Sequence, residues 1–351
     1  MIYPEVSQFL KERLRTAFEL EIVASGANNR AYHVSTNNGD FFLKAFSKHS
    51  PSSAKKLISE YRFSEYICNL DTNAYAAKPV DYCLDRLLGL YEFIDGEEIT
   101  NCQLSEIQTA LAFIDHINLS KNVSSANSLP VASDSPKTLY SFTDLVSKRI
   151  KRFNELNAED EETKRCLAFV SVIEKHLKKI EHDLQFKNDK SWRSALNKTI
   201  LSPSDFGFHN ALRTKHGIQF FDFEYAGWDT PWKTLCDFFA QPAVPVSLDH
   251  IELFLNNPLM FEVRNNLDVL PTIYELTLLK WCLIMLNEFI PDTQRRRQFA
   301  WHGSCYSLQE NDSSQFDIEK VKLAQRLKSQ EYYEQIEGKL NTLRGIIKRV
   351  R

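Results

Sequence analysis

The residues best suited to chemistry lie in one stretch, residues 200–239, which holds an aspartate, an asparagine and a second aspartate close to turn signals. Asp205 follows a Ser-Pro-Ser turn, Asn210 comes five residues later, and Asp222 ends an apolar run. Carboxylate and amide oxygens at the ends of neighbouring strands can hold a divalent cation against phosphate oxygens and orient a hydroxyl group for attack. The stretch therefore predicts phosphoryl transfer. The alternative is that both aspartates only cap strand ends.

Short apolar segments on both sides of these residues predict how they are positioned. A brief strand should precede Asp205, and a strand pair closed by a turn at Lys215–Gly217 should follow Asn210. Asp205 and Asn210 then lie at the two ends of one loop, and Asp222 lies at the tip of the returning strand. The predicted strands are Thr199–Leu201, Ala211–Arg213 and Ile218–Phe221.

The order D-x-x-x-x-N followed by D-F-E-Y-A-G-W resembles the catalytic and metal-binding loops of protein-kinase-like phosphotransferases. It is specifically similar to the aminoglycoside phosphotransferase and choline/ethanolamine kinase family. The resemblance implies that Asp205 is the catalytic residue and that Asn210 and Asp222 are Mg²⁺ ligands. Two positions differ from the family pattern. Pro203-Ser204 replaces a histidine-glycine pair, which leaves the bracing of the catalytic loop open, and Thr234 stands where an aspartate is usual.

The beginning of the chain predicts a helix and a series of strands. Residues 7–20 have the apolar spacing of a short helix, and β-prone runs follow at residues 21–24, 30–35 and 41–46. The Asn-Gly pair between the last two runs favours a two-residue hairpin. The order strand, loop of small residues, strand, turn and strand with a lysine is typical of a kinase-like N-terminal lobe.

Lys44 has apolar neighbours on the third of these strands, so its side chain points into a cleft or lies at an exposed edge. A helix predicted over residues 52–69 places Glu60 beside its apolar face. The resemblance implies that Lys44 binds the α- and β-phosphates of ATP and that Glu60 holds its ammonium group. Glu65 is the competing partner, on another side of the helix. A solvated surface lysine and a solvated acid are the alternatives.

The resemblance also assigns contacts that consist mainly of backbone groups. The loop containing Ser25, Gly26 and Asn28 would cover the ATP phosphates through its N–H groups, although it lacks the G-x-G-x-x-G pattern. The residues from Glu92 to Ile94, at the end of a further predicted strand, would form the hinge that meets the adenine edge. These assignments complete the predicted nucleotide site.

Chain length and the resemblance together predict the domain organisation. A chain of 351 residues is too long for one ordinary core and suits two packed lobes. The resemblance implies an α+β, two-lobed, protein-kinase-like fold. A small antiparallel nucleotide-binding lobe would occupy residues 1–95, and a mostly helical lobe residues 96–351. The second lobe would contain the loops at 200–239, insert helices at 139–186 and acceptor-side helices at 251–351, of which residues 318–351 read as one long helix.

Composition and charge favour a soluble cytoplasmic protein. The hydrophobic share of 43%, the charged share of 25% and the net charge of -3 describe a globular domain without the basic face that nucleic acid requires. Seven scattered cysteines without a C-x-x-C pair favour reduced thiols. The start lacks a signal-peptide pattern. The longest apolar run, residues 276–290, contains Lys280 and Glu288 and is too short to span a membrane.

The acceptor stays open at this level. The resemblance implies a small hydroxylated molecule such as a sugar or an amino alcohol. The run Arg295–Arg297 favours a neutral or anionic acceptor, although these arginines could equally be a solvated helix end. An aromatic wall would instead suit a quaternary ammonium or a sugar face, although aromatic residues more often belong to a core. The candidates for that wall are Tyr225, Trp228, Trp232, Trp281 and Trp301.

Two other classes of protein are compatible with the motifs. Pro203 at the usual histidine position is compatible with a non-catalytic, kinase-like nucleotide-binding protein, but the joint presence of Lys44, Asp205 and Asp222 opposes it. An atypical kinase that modifies proteins is disfavoured because no long segment separates Asp222 from Pro231. The sequence therefore predicts an ATP- and Mg²⁺-dependent kinase of a small hydroxyl compound.

Overall fold

The structure is a computed structural model that describes residues 4–23, 28–70, 75–119, 122, 124–186, 190–196, 198–301 and 318–350. The first part of the chain forms a five-stranded antiparallel sheet with two helices. Its elements are α1 (Pro4–Leu14), β1 (Phe18–Val23), β2 (Arg30–Thr36), β3 (Gly39–Ala45), α2 (Ser53–Cys68), β4 (Pro79–Cys83) and β5 (Leu88–Glu92). The strand order is β1-β2-β3-β5-β4.

The hairpin between β2 and β3 has the predicted two-residue loop. Thr36 pairs with Gly39, so Asn37 and Asn38 make the connection. Gly39 has φ 126°, a conformation that L side chains rarely adopt, which explains why a glycine follows the asparagines. The register of this hairpin fixes Lys44 opposite Ala31 on β2 and opposite Gly89 on β5.

The first helix is shorter than predicted. It ends at Leu14, and the part of residues 7–20 that starts at Phe18 belongs to β1. Arg15, with φ 52°, interrupts the helical backbone directly after Leu14. Burial then alternates along β1, with Glu19 and Glu21 exposed, which is the period of a strand rather than of a helix.

The rest of the chain is mostly helical. Its elements are β6 (Glu97–Glu98), α3 (Leu104–Ile117), α4 (Ser141–Phe153), α5 (Glu161–Phe186), β7 (Ile200–Ser202), β8 (Ala211–Thr214), β9 (Gly217–Phe220), β10 (Gly227–Asp229), α6 (Pro231–Ala240), α7 (Ile251–Leu255), α8 (Phe261–Arg264), α9 (Leu270–Met285), α10 (Pro291–Trp301), α11 (Ile318–Glu334) and α12 (Ile336–Val350). Strands β6, β8 and β9 form one small sheet, and β7 pairs with β10. Helix α9 packs against α4, α6, α11 and α12.

The segment after residue 318 is two helices and not the single helix predicted. The break falls at Gln335, whose N–H donates to the carbonyl of Tyr332 at 3.3 Å. The second helix then buries Leu340 and Leu343 in the same core that receives Tyr332. Because one straight helix would carry part of this apolar face into solvent, the turn allows both helices to pack on the molecule.

Two apolar cores hold these parts together. A small core joins α1 to the sheet through Phe9, Leu10 and Val34. A large core fills the helical part and also takes in Phe63 and Ile67 from α2, so this helix connects the sheet to the helical part. A small antiparallel sheet followed by a larger helical part confirms the predicted α+β, two-lobed fold class. The boundary between residues 95 and 96 stays a prediction.

Candidate active site

Lys44 on β3 holds its ammonium group between two carboxylates. Its Nζ donates to Glu60 Oε2 at 2.6 Å and to Asp222 Oδ1 at 2.6 Å. Glu60 comes from α2, and Asp222 comes two residues after the end of β9. The pair of Lys44 and Glu60 is buried, whereas the competing candidate Glu65 is exposed on another face of the helix. The structure therefore brings together three of the predicted site residues from three distant parts of the chain.

Glu224 ties the segment of Asp222 to the first part of the chain. Its Oε1 accepts a hydrogen bond from Lys56 Nζ at 2.9 Å, and its Oε2 accepts one from Asn29 Nδ2 at 2.9 Å. Lys56 also donates to the hydroxyl of Tyr225 at 2.8 Å. Lys56 and Asn29 are not among the predicted residues. The signal for Lys56 is its position four residues before Glu60, which puts both on one face of α2.

These groups form what we call the cleft cluster, made up of Lys44, Lys56, Glu60, Asp222 and Glu224. Its three carboxylates have ligand oxygens within 4.8 Å of one another, and two ammonium groups oppose them. Burial raises the pKa of Glu60 to about 7 and also raises the pKa of Asp222. Burial opposes the charged form of Lys44, yet the carboxylates of Asp222 and Glu60 raise its pKa. The cluster therefore has one negative charge in excess when all its groups are ionised.

The backbone around Asp222 is shaped so that its carboxylate faces the cleft. Asp222 has φ 63°, an unusual value for a residue other than glycine. The next residue, Phe223, is buried against the rings of Phe63 at 5.2 Å and Phe113 at 6.4 Å. The Asp222 side chain remains 36% exposed, more than any other carboxylate of the cleft cluster. It is thus the member of the cluster most accessible to a ligand.

The loop from Asp205 to Asn210 folds back on itself. The Nδ2 of Asn210 donates to the carbonyl of Asp205 at 3.0 Å, and the carbonyl of Asn210 accepts the N–H of Phe221 at 3.0 Å. This second bond places the predicted loop beside the residue that precedes Asp222. Asp205 and Asn210 thus lie at the two ends of one loop next to Asp222, as the sequence predicts.

His209 is a neighbour of Asp205 that the sequence analysis missed. Its Nε2 lies 3.3 Å from Asp205 Oδ1. Burial opposes ionisation of Asp205, but the hydrogen bond and charge of His209 lower its pKa, and Asp205 in turn raises the pKa of His209 against the effect of burial. The four-residue spacing of the two side chains is the signal that could have found this pair.

The residues predicted as metal ligands suit a hard cation. Asn210 is buried, and its amide nitrogen is used by the carbonyl of Asp205, which leaves the amide oxygen as the ligand atom. Asp222 and Glu224 supply carboxylate oxygens, and the excess negative charge of the cleft cluster favours a cation. Oxygen donors of this kind are the ligands that Mg²⁺ prefers.

A second group of buried charges lies beneath the catalytic loop, and we call it the loop cluster: Lys233, Lys280, Asp229 and Asp237. Lys233 Nζ donates to Asp229 Oδ2 at 2.8 Å and lies 3.5 Å from Asp237 Oδ2, and Lys280 Nζ donates to Asp237. Two ammonium groups thus balance two carboxylates. Lys233 and Asp237 lie on either side of Thr234 on α6, so charged residues flank the position where the family usually has an aspartate.

Lys233 also shows how the segment before the Asp205–Asn210 loop is braced, although Pro203-Ser204 replaces the family's histidine-glycine pair. Its Nζ donates to Ser204 Oγ at 2.6 Å, and the Ser204 N–H donates to Ser202 Oγ at 3.0 Å. Ser204 has φ 68°, the conformation that favours glycine, and it occupies the position of the family's usual glycine. The hydroxyl of Ser204 therefore secures a strained backbone directly before Asp205.

A segment before α4 lies against the motif on the other side. Residues Val131 and Trp228 form a bridge, and the N–H of Ser133 donates to the carbonyl of Tyr225 at 3.0 Å. Gly227, with φ 152°, allows this approach because a Cβ atom there would lie 2.1 Å from the carbonyl oxygen of Pro130. The chain from Pro130 to Ser133 is therefore hydrogen-bonded to the motif.

The remaining predicted nucleotide contacts have mixed outcomes. Ser25 and Gly26 lie outside the described residues, and Asn28 lies at the bend before β2. At the predicted hinge, the N–H of Glu92 donates to Lys78 and that of Phe93 to Asp40 within the sheet. Hinge donors must therefore come from Ile94 or from residues beyond it. The roles of Asn28, Glu92 and Ile94 stay predictions.

The four described residues considered for an aromatic wall make contacts within the protein. Trp232 is fully buried in the large core, and Trp281 packs against that core. The indole N–H of Trp228 donates to the carbonyl of Ala126 at 3.2 Å, and Tyr225 stacks under Lys56. The Trp301 side chain lies outside the described residues. Packing and hydrogen bonds within the protein therefore account for the positions of these four aromatic side chains.

The architecture and the site together define a kinase-like phosphotransferase, and two comparisons identify its relatives. Spectinomycin phosphotransferase APH(9)-Ia, in a complex with ADP and spectinomycin, has a TM-score of 0.55 at 15% identity and covers 93% of this chain and 98% of its own. APH(2″)-IIa, in a ternary complex with streptomycin and ATP, has a TM-score of 0.53 at 14% identity and covers 85% of this chain and 97% of its own. At these identities the likeness shows the fold. No curated protein sequence matches significantly.

The family itself is shown by its sequence pattern. The phosphotransferase enzyme family matches residues 19–238, which is more than half of the chain. The chain belongs to this family of phosphotransferases. The predicted relationship to aminoglycoside phosphotransferases is confirmed. Among the described residues, no helix has both the length and the apolar content that a membrane crossing requires.

Proposed function

We propose that the protein transfers the γ-phosphoryl group of ATP to a hydroxyl group of a small molecule and that it requires Mg²⁺. The observation that carries this proposal is the ammonium group of Lys44, which lies between Glu60 and Asp222 at 2.6 Å from each. This arrangement joins a strand lysine, a helix acid and the aspartate after β9 at one point of the cleft. The structural relatives in complexes with ATP and ADP support the choice of nucleotide.

In the proposed reaction, the hydroxyl oxygen of the acceptor forms a bond to the γ-phosphorus, and the bond from that phosphorus to the β,γ-bridging oxygen breaks. Asp205 accepts a hydrogen bond from the acceptor hydroxyl and takes up its proton, and ADP leaves with the electron pair of the broken bond. Because the transition state is loose, alignment by Asp205 matters more than its strength as a base. Burial opposes ionisation of Asp205, but the hydrogen bond and charge of His209 lower its pKa and so favour the carboxylate.

Other residues of the chain neutralise the phosphates. Lys44 would move from Asp222 to the α- and β-phosphates while Glu60 keeps its ammonium group in place. Asn210 and Asp222 would hold Mg²⁺, which would neutralise phosphate charge when bound. Glu224 would brace this segment through Lys56 and Asn29.

The decisive experiment compares the wild type with Asp205→Asn. We expect turnover of ATP with a responsive acceptor to be lost, and the affinity for Mg·ATP, measured by calorimetry, to change little, because Asp205 faces the acceptor. Turnover within a few-fold of wild type would overturn the role of Asp205. An Asp222→Ala variant that is as active as the wild type would overturn the proposed metal site.

A non-catalytic nucleotide-binding protein is the second candidate. Its support is the replacement of the usual histidine-glycine pair by Pro203-Ser204. The hydrogen bonds of Ser204 with Lys233 and Ser202 argue against it, because they brace the loop that the replacement would otherwise weaken. A wild type that binds Mg·ATP but turns it over with no hydroxyl acceptor would favour this second candidate.

A further inference from the structure

Three arginines converge beside the catalytic loop, and we propose that the acceptor carries an anionic group, a phosphate or a carboxylate, that they bind. The inference rests on the proposed function and narrows its acceptor class. We call this set the arginine wall: Arg149 and Arg152 on α4 and Arg296 on α10.

A short chain of contacts connects the arginine wall to Asp205. Arg149 Nη2 donates to Asp134 Oδ2 at 2.8 Å. The residue before Asp134 is Ser133, whose carbonyl accepts the hydroxyl of Ser204 at 3.4 Å. Ser204 immediately precedes Asp205. The guanidinium group of Arg149 is therefore one loop away from the residue that would orient the acceptor hydroxyl.

Electrostatic effects connect the same groups. The pKa of Lys280 is lowered, mainly by burial and also by the positive charges of Lys233 and Arg149. Lys280 and Lys233 in turn help to lower the pKa of Asp205, against the effect of burial. The wall, the loop cluster and Asp205 are thus close enough for their charges to act on one another.

Arg149 is already paired with Asp134, but the other two arginines of the wall have only neutral hydrogen-bond partners among the described residues. Arg152 Nη1 donates to the amide oxygen of Asn287 at 3.2 Å, and Arg296 Nη2 donates to the hydroxyl of Thr293 at 3.1 Å. No carboxylate of the described residues forms an ion pair with either guanidinium group. Burial and the charges of Arg149 and Arg296 lower the pKa of Arg152, and the nearby carboxylates of Asp292 and Asp134 offset this only in part. A ligand anion would supply the missing partner.

The three consecutive arginines at positions 295–297 have different partners in the structure. Arg295 pairs with Asp292, and Arg297 Nη2 lies 2.7 Å from Glu288 Oε1. Both are therefore neutralised, and Arg296 is the member that belongs to the wall. The sequence pattern indicated an anionic acceptor without showing which of the three arginines carries the signal.

Helix α10 also connects the arginine wall to the first part of the chain. Three residues after Arg296 on this helix, the carbonyl of Phe299 accepts a hydrogen bond from Arg30 Nε at 2.5 Å, and the Phe299 ring lies under the Arg30 guanidinium. Arg30 begins β2, next to Asn29, which bonds to Glu224 of the cleft cluster. An acceptor held here lies between the arginine wall and the nucleotide side. Guanidinium groups bind phosphate or carboxylate in a bidentate manner and repel a polycationic acceptor.

The first test measures binding without turnover. Inorganic phosphate is titrated by calorimetry into protein saturated with Mg²⁺ and a non-hydrolysable ATP analogue, so that the nucleotide site is already filled. We expect one phosphate site, weakened at least tenfold by Arg152→Met and by Arg296→Met and partly kept by Arg152→Lys. The matched control Arg295→Met, at an exposed and paired arginine of the same helix, should bind like the wild type. Thermal melting checks that each variant is folded.

Absence of phosphate binding in the wild type, or wild-type phosphate affinity in both methionine variants, would overturn the inference. Because this titration needs no turnover, it reports on the arginine wall independently of Asp205. Loss of Mg-dependent nucleotide binding would instead count against the proposed function, so the two failures are distinguishable.

The second test identifies the source of the anion. A hexose, its 6-phosphate, the matching uronate and the matching amino sugar are compared by kcat/KM with ATP. We expect one of the two anionic sugars to exceed the neutral hexose at least tenfold, and Arg152→Met to remove that preference. A neutral or amino sugar as the best acceptor would overturn the inference and leave the phosphotransferase function intact.

Discussion

The cleft cluster and the loop cluster are both made of buried lysines and carboxylates, but their charge balance and their access to solvent differ. The cleft cluster has three carboxylates against two lysines, and Asp222 is 36% exposed. The loop cluster has two of each, and none of its side chains is more than 8% exposed. An incompletely neutralised cluster with an accessible member is prepared for a ligand, whereas a balanced and closed cluster holds the backbone in place.

The largest effect should come from Asp222→Ala. We expect kcat/KM for ATP turnover to fall about 10³-fold, the scale of losing a group that stabilises transition-state charge. The thermal stabilisation of the protein by ATP should no longer depend on Mg²⁺. The nucleotide-free melting temperature should not fall, because the change removes one of three crowded carboxylates.

The control for this experiment is Asp85→Ala, at an exposed aspartate in the turn between β4 and β5. A marked loss of stability in nucleotide-free Asp222→Ala, with Mg²⁺ dependence retained, would contradict the assignment of the cleft cluster to ligand binding.

Lys233→Met, unlike Asp222→Ala, should destabilise the nucleotide-free protein. Removing this lysine leaves Asp229, which is fully buried, without its ammonium partner at 2.8 Å. The free energy of unfolding should fall by about 3 kcal/mol, as for other broken buried ion pairs. Urea unfolding measures it, with Lys215→Met in the exposed β8–β9 turn as the control.

The double variant Lys233→Met with Asp229→Asn should recover part of this loss, because it removes the unpaired charge. A single Lys233→Met variant as stable as Lys215→Met would show that the loop cluster does not hold the fold.

Glu60→Gln should change how stability depends on pH. The pKa of Glu60 is raised to about 7 in the folded protein from a value of 4.5. As pH rises from 4.5 to 7, the unfolded chain loses this proton first, so nucleotide-free stability should fall over that interval. Glu60→Gln should flatten the slope, measured by urea unfolding at a series of pH values. An identical slope in both proteins would refute the pKa assignment.

The smallest effect should be a shift in the pH profile of His209→Gln. Asp205 raises the pKa of His209 above 6.5, so the ion pair is complete below that pH and is lost as pH rises through the raised value. The lowered pKa of Asp205 means that activity falls only at acidic pH. In His209→Gln, the acidic limb of kcat against pH should move to higher pH, because the imidazolium that favours the Asp205 carboxylate is gone. An unchanged acidic limb would show that His209 does not affect the ionisation of Asp205.

The cleft cluster could be predicted in part because its residues have local signals. Lys44 lies among apolar residues on a strand, and Glu60 lies beside the apolar face of the next helix. Each pattern predicts an inward-facing charge. Asn29 has no such signal, because its partner Glu224 is distant in sequence and the bond depends on how the two parts of the chain pack.

The loop cluster was not predicted, for a different physical reason. Lys233 lies in the first turn of α6 after Thr230 and Pro231, where a lysine is normally solvated. Its burial follows from the packing of α6 against α9, which carries Lys280. The break at Gln335 likewise depends on the core that receives Leu340, and helical periodicity on both sides of it is uninterrupted.

The close approach of Gly227 to Pro130 limits where this chain can change in length. Trp228 bonds to Ala126, Gly227 lies against Pro130, and Val131 bridges to Trp228, so residues 126–131 are in register with β10. One residue inserted after that stretch would move Asp134 away from Arg149, whereas insertions before Ala126 leave the register untouched. Between α3 and Asp134, natural or engineered length variation that preserves these contacts is therefore confined to the part before Ala126.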